Sequence, residues 1–135
     1  MEKWKAWASL IGRILLVLIF LQSWIGKIGN FAGTAQYMAS QGMSHTAFFL
    51  VGAIFFELLG SITIILGYFT RFGSLLLLIF LIPTTLIFHT NFGDPMQKIH
   101  FMKNVSMFGG LLVLLSVGGG RYSLDYLLRG GEIKQ

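Results

Sequence analysis

A chain of 135 residues with 55% hydrophobic and only 11% charged residues departs from the balance of a soluble domain and reads as one that crosses a lipid bilayer. The absence of cysteine excludes disulfides, thiolate metal ligands and dithiol redox chemistry within the chain. The net charge of +5 comes from sparse basic residues at the ends of apolar stretches, a pattern that encodes membrane orientation, so nucleic acid is excluded as a partner.

Apolar stretches at about residues 9–27, 47–67, 72–92 and 95–118 each approach the ~20 residues that a helix needs to cross hydrocarbon. The predicted fold is all-α: a single four-span domain over residues 1–135, an integral membrane four-helix bundle. A short surface helix joins spans one and two, and an amphipathic helix follows span four. The first span contains Gly12, Arg13, Gln22 and Gly26, so it is not a smooth lipid-facing anchor. Arg13 and Lys27 return to nearly the same helical face, about 21 Å apart in height, while Gln22 points elsewhere. A removable signal peptide is weighed because FAGTA, Phe31 to Ala35, offers small residues at cleavage-like spacing. The preceding apolar run is long for such a peptide, and the first span is expected to be permanent.

Between spans one and two, Phe31, Thr34, Ala35 and Met38 follow helical spacing, which predicts a helix lying on the outer surface and closing over the bundle. In span two, Ala53, Glu57, Gly60, Ser61 and Gly67 form a stripe of mostly small residues that lets a neighbouring backbone approach. That stripe turns Glu57 toward protein. GYFTRFG, Gly67 to Gly73, is a tight hairpin. Pro83 removes a backbone hydrogen bond inside span three and predicts a kink near Ile79, with Thr84 and Thr85 available to satisfy freed carbonyls. His89 follows one turn beyond Thr85. Asp94 as N-cap and Pro95 at the first helical position start span four, which puts Lys103 and Asn104 about 12 Å along the helix. His100, Lys103, Asn104 and Met107 share a face. Gly109 and Gly110 are expected to allow close packing, and Ser123 to Arg129 make the terminal amphipathic helix.

With four spans both termini share a side. Lys3, Lys5, Arg71, Arg121, Arg129 and Lys134 fall there, against Lys27, Lys98 and Lys103 opposite, so the termini are predicted to be cytoplasmic.

The candidate site is the set Arg13, Lys27, Glu57, His89, Lys103 and Asn104, with His100 beside it. A carboxylate at mid-membrane costs several kcal/mol unless paired, and the estimated depths predict that Glu57 meets Arg13 and Lys103. The bland reading of that pair is packing glue, and Lys27 near a span end reads as a snorkelling residue. Against it stands the surplus of cations, which one carboxylate cannot neutralise. That surplus suits a guest rich in hydrogen-bond acceptors, such as a quinone ring, with Phe55, Phe56, Phe88 and Phe101 as candidate walls. Haem on His89 and His100 is disfavoured because both sit near span ends. The three histidines and Asp94 have no metal-ligand spacing.

Arg13, Lys27, ELLGSITIILGYFTR from Glu57, FHTNF around His89 and FMKNVSMFGGLL around Lys103 together resemble the DoxX family of small four-span bacterial membrane proteins, from about Ile11 to Tyr126. DoxD and MauE-like proteins are related groups. The resemblance implies location in the bacterial inner membrane and a link to quinone, catechol or oxidative stress, since the family is named for a subunit associated with a terminal quinol oxidase and with thiosulfate:quinone oxidoreductase. Many members carry an oxidoreductase label without demonstrated chemistry. The chain has no flavin, nucleotide or iron–sulfur motif, so redox chemistry would need a bound cofactor or a partner protein.

The expectation is therefore an intramembrane polar pocket that binds a quinone-like or other amphipathic molecule within a redox or oxidative-stress-linked system. Its partners would be the bilayer, a guest, a redox protein and further copies of the chain. The alternatives are a non-catalytic assembly subunit, in which the polar cluster only fixes packing, and a proton or solute conduit suggested by Glu57 at mid-depth and Pro83.

Overall fold

The computed structural model describes residues 2–88 and 93–128. Its helices are α1 (Lys3–Gly29), α2 (Phe31–Ser40), α3 (Thr46–Leu66), α4 (Thr70–Phe88), α5 (Pro95–Val117) and α6 (Leu124–Leu128). Four of them, α1, α3, α4 and α5, are long and apolar enough to cross a membrane. Helix α3 packs between α1 and α4, α4 packs on α5, and α1 meets α5 only sparsely. Val17, Phe20, Ile64, Leu77, Leu78, Leu81, Leu111 and Leu114 form the buried core. Outward-facing Leu15, Phe55 and Val113 are exposed, as hydrocarbon-facing residues should be.

Helix α2 lies over one end of this bundle on α3 and α1, with Met38 buried, in agreement with the expected surface helix. At the start of α5, the Asp94 side chain accepts a hydrogen bond from Met96 N (3.0 Å) and Pro95 opens the helix. The predicted small stripe does place α3 against α4: a Cβ on Gly60 would lie 3.1 Å from the Gly73 carbonyl oxygen. Of the glycine pair in α5, Gly110 faces Leu16, but a Cβ on Gly109 would meet nothing within 4 Å. Helix α4 continues through Pro83. Thr84 Oγ1 donates to Phe80 O (2.9 Å), whereas Thr85 accepts from Asn104.

The end of the bundle carrying the N-terminus, the α3–α4 turn and α6 is closed by polar groups that cap neighbouring helices. Gly67 ends α3 with φ +70°, and Tyr68 N reaches Thr63 O (3.0 Å) while Gly67 N reaches Ile64 O (3.2 Å), the paired bonds of a Schellman motif. Arg13, buried on α1, donates Nη1 to Ile64 O (2.7 Å) and Ile65 O (3.4 Å) and Nη2 to Tyr122 O. A cation thus sits where the dipole of α3 is negative. Asp125 does the converse for α4, accepting from Phe69 N (2.8 Å), Thr70 N (3.1 Å) and Thr70 Oγ1 (3.2 Å). Arg71 Nη2 donates to Ser116 O (3.1 Å) in the last turn of α5, and Ser9 Oγ to Gly119 O (3.1 Å). Tyr122 stacks edge-on against Trp7, with centroids 5.0 Å apart.

Asp125→Ala should cost about 1 kcal/mol, the usual loss for a helix N-cap. Gly67→Ala should cost more than about 1 kcal/mol, because its Cβ would collide with Ser123 in a left-handed backbone. Equilibrium unfolding in mixed micelles measures both.

Candidate functional site

At the opposite end, beneath α2, the helices part around a partly enclosed cavity of about 680 Å³ with mainly apolar walls. Every one of α1 to α5 contributes to it, and its polar lining includes Ser23, Lys27, Glu57, Lys103 and Asn104. Antiparallel packing of α1 and α3 creates this polar edge. Arg13 lies beside Ile64 at the closed end. Higher up, Trp24 Nε1 donates to Ser61 Oγ (3.1 Å), and then Lys27 meets Glu57.

Glu57 is fully buried and its Oε1 forms an ion pair with Lys27 Nζ. Lys27 Nζ also donates to Ser23 Oγ (2.7 Å), one turn back on α1. Helical side chains lean toward the helix N-terminus, and that lean carries the Lys27 ammonium inward to the acid rather than outward to the headgroups. The ammonium stands 5.3 Å from the centre of the Phe80 ring. Ser23 also lies beside the Glu57 carboxylate, yet no hydrogen bond reaches Glu57 Oε2 among the described residues.

The expected Arg13–Glu57 contact is not formed. The N-terminal part of α1 overhangs the end of α3, so Arg13 falls level with the last turn of α3, about 10 Å from Glu57 along the helix axis. The expected snorkelling of Lys27 is likewise replaced by the inward ion pair. Lys103 lines the cavity without pairing with Glu57: its Nζ stands 3.4 Å from His100 Nδ1. Asn104 is buried and donates Nδ2 to Thr85 Oγ1 (3.0 Å), tying α5 to α4. The structure therefore gathers Lys27, Glu57, Lys103 and Asn104 around one space and separates Arg13 from them. His89 lies outside the described residues, as does the side chain of Phe88. Of the other expected aromatic walls Phe56 lines the cavity, and Phe55 and Phe101 do not. Phe20, Phe48, Phe49, Phe80 and Tyr37 are the rings that sequence reasoning missed. Among the described residues no three His, Cys, Asp or Glu side chains converge as metal ligands.

Removing one partner of a buried ion pair strands the other, at a cost of about 3 kcal/mol. Lys27→Met and Glu57→Gln should each destabilise the bundle by about that amount. The double variant should lose less than the sum, an interaction measured by a double-mutant cycle of unfolding free energies.

The chain is similar to two proteins of Escherichia coli K12. Inner membrane protein YqjF is 38% identical over 128 residues, covering 95% of this chain and 97% of its own. Inner membrane protein YphA is 39% identical over 121 residues, 86% of each. The Saccharomyces cerevisiae ER-derived vesicles protein ERV29 is 27% identical over 92% of this chain and 34% of its own. No solved structure matches the chain. The sequence model of the DoxX family covers residues 8–90, which hold Arg13, Lys27 and Glu57. With most of the chain matched by that model and near-full-length relatives approaching 40% identity, the chain belongs to the DoxX family.

Proposed function

We propose that this DoxX-family protein resides in the bacterial inner membrane and holds a quinone-like or similarly amphipathic molecule in the cavity beneath α2, as part of a redox or oxidative-stress-linked membrane system. The single observation that carries this reading is a cavity of about 680 Å³ whose otherwise apolar wall places Lys27, Glu57, Lys103 and Asn104 together. A space of that size suits a ring and the first part of a hydrocarbon tail. The sparse contact between α1 and α5 supports entry from the lipid side. Lys103 and Asn104 offer N–H donors to acceptor oxygens of the guest, while the Lys27–Glu57 pair fixes the ring's place. Electrons would come from or go to a partner protein, since the chain has no redox motif of its own.

The location is supported by the printed names of the two bacterial relatives. The excess of basic residues at the termini end supports cytoplasmic termini. The second reading, an assembly subunit without a ligand, is favoured by the Lys27–Glu57 pair itself, which bridges α1 and α3 as packing glue would.

Mass spectrometry of lipid extracts from the purified protein separates the readings. A quinone-like compound enriched over bulk membrane is expected. It should be lost in Gly52→Leu, because Gly52 lines the cavity and a Cβ there meets nothing within 4 Å, so the added side chain occupies guest space without breaking the bundle. No enriched compound, with Glu57→Gln altering only stability, favours the assembly subunit. The cysteine-free sequence also permits single-cysteine labelling of the topology. In spheroplasts, Ser40→Cys should react with a membrane-impermeant maleimide, and Lys5→Cys only after permeabilisation.

A further inference from the structure

We infer that the cavity selects a guest whose head carries a neutral hydroxyl on an aromatic ring, and that this hydroxyl donates to Glu57 Oε2. The inference rests on the proposed guest-binding role and narrows it, because a ring bearing only carbonyl oxygens cannot make this contact.

The starting point is a defect in hydrogen bonding. Glu57 is buried completely and its Oε1 is engaged by Lys27, but Oε2 has no partner among the described residues. An ionised carboxylate accepts hydrogen bonds at both oxygens and donates none, and a buried acceptor left unmade carries its full desolvation penalty. No neighbouring polar group among the described residues makes that bond. Ser23 Oγ, beside the carboxylate, accepts from Lys27 Nζ (2.7 Å), and Ser61 Oγ donates to Glu57 O (2.6 Å). One N–H of Asn104 Nδ2 goes to Thr85 Oγ1 and Thr84 Oγ1 donates to Phe80 O. Glu57 borders the cavity, so the missing donor can come from what occupies it.

The charges around the site decide what kind of donor it is. Lys27 already neutralises the acid, and Lys103 adds a second cation to the same wall, so an ammonium head would be repelled. A carbonyl would place one acceptor against another. A neutral O–H satisfies Oε2 without adding charge, and its own oxygen can still accept from a donor on the wall. Phe20, Phe56, Phe80 and Tyr37 supply a surround for a flat ring. Met38, Met43 and Met107, also in the lining, are flexible side chains that let the wall adjust around the head.

A redox-inert probe pair tests this: 4-octylphenol against 4-octylanisole, which differ by the donor hydrogen alone apart from one methyl group. Binding is titrated on the purified full-length chain in nanodiscs, with empty nanodiscs correcting for partition into lipid. The phenol should bind at least about tenfold more tightly than the methyl ether, as expected for a hydrogen bond to a charged group. The gap should shrink in Glu57→Gln, or in the Lys27→Met/Glu57→Gln double variant if the single one does not fold. Equal affinity of the two probes for the unaltered chain overturns the inference and leaves the guest-binding role standing. A co-purifying guest whose head lacks any hydroxyl also overturns it. Failure of both probes to bind, with no guest extracted, ends the guest-binding role and this inference together.

Discussion

Hydrocarbon offers no partner to a polar atom, and this fold answers that constraint by sorting its polar side chains into two layers. In the layer near the termini they cap backbone: Arg13 takes the free carbonyls of α3, Asp125 the free N–H groups of α4, and Arg71 a carbonyl in the last turn of α5. The Ile64 carbonyl taken by Arg13 is buried at the end of α3, out of reach of water. Because every cap comes from a different helix than the one it serves, the caps also tie α1 to α3 and α4 to both α5 and α6. In the layer beneath α2 the polar groups meet one another across a space.

The two layers have different packing because they have different residues. Toward the termini, Gly60 and Gly73 bring α3 and α4 into backbone contact, and Gly67 fits against Ser123. Side chains larger than hydrogen at these places would hold the helices apart. In the other layer, Phe and Met side chains keep the helices separated and α2 roofs the gap. The same α3 thus carries a tight seam and an open one, with Glu57 and Ser61 at the junction. That position explains why Glu57 is completely buried yet borders a cavity.

Most of this architecture was legible in the sequence, and the exceptions have a common cause. Asp94 followed by Pro95 fixed the start of α5, the small stripe turned Glu57 inward, and the spacing of Phe31, Thr34 and Met38 gave α2. All of these are periodicities or caps within one segment. What failed was the pairing of Glu57 with Arg13, which depends on how far one helix slides past another. Helix α1 is 27 residues long and α3 is 21, and the overhang of α1 carries Arg13 beyond the acid and brings Lys27 down to it. Asp125 was a usable signal for that slide, an acid in the last short helix able to sit opposite Arg13, but its place in the tertiary structure is not written in any local pattern. The lining aromatics were missed for a similar reason. With 13 phenylalanines in the chain, composition cannot say which ones face inward.

The bilayer also decides how such a cavity could choose its occupant. In water an apolar pocket attracts any apolar molecule, but here lipid tails compete on equal terms, since they are as apolar as the walls. Phe56, Phe80 and Met107 therefore hold a hydrocarbon guest no better than the membrane does. Discrimination has to come from the few polar atoms, which a lipid chain cannot satisfy and whose hydrogen bonds are not offered elsewhere in the hydrocarbon. By this reasoning Glu57, Lys27, Lys103 and Asn104 matter to selection out of proportion to their area. A substitution among the apolar walls should change how much fits, while one among these four should change what fits.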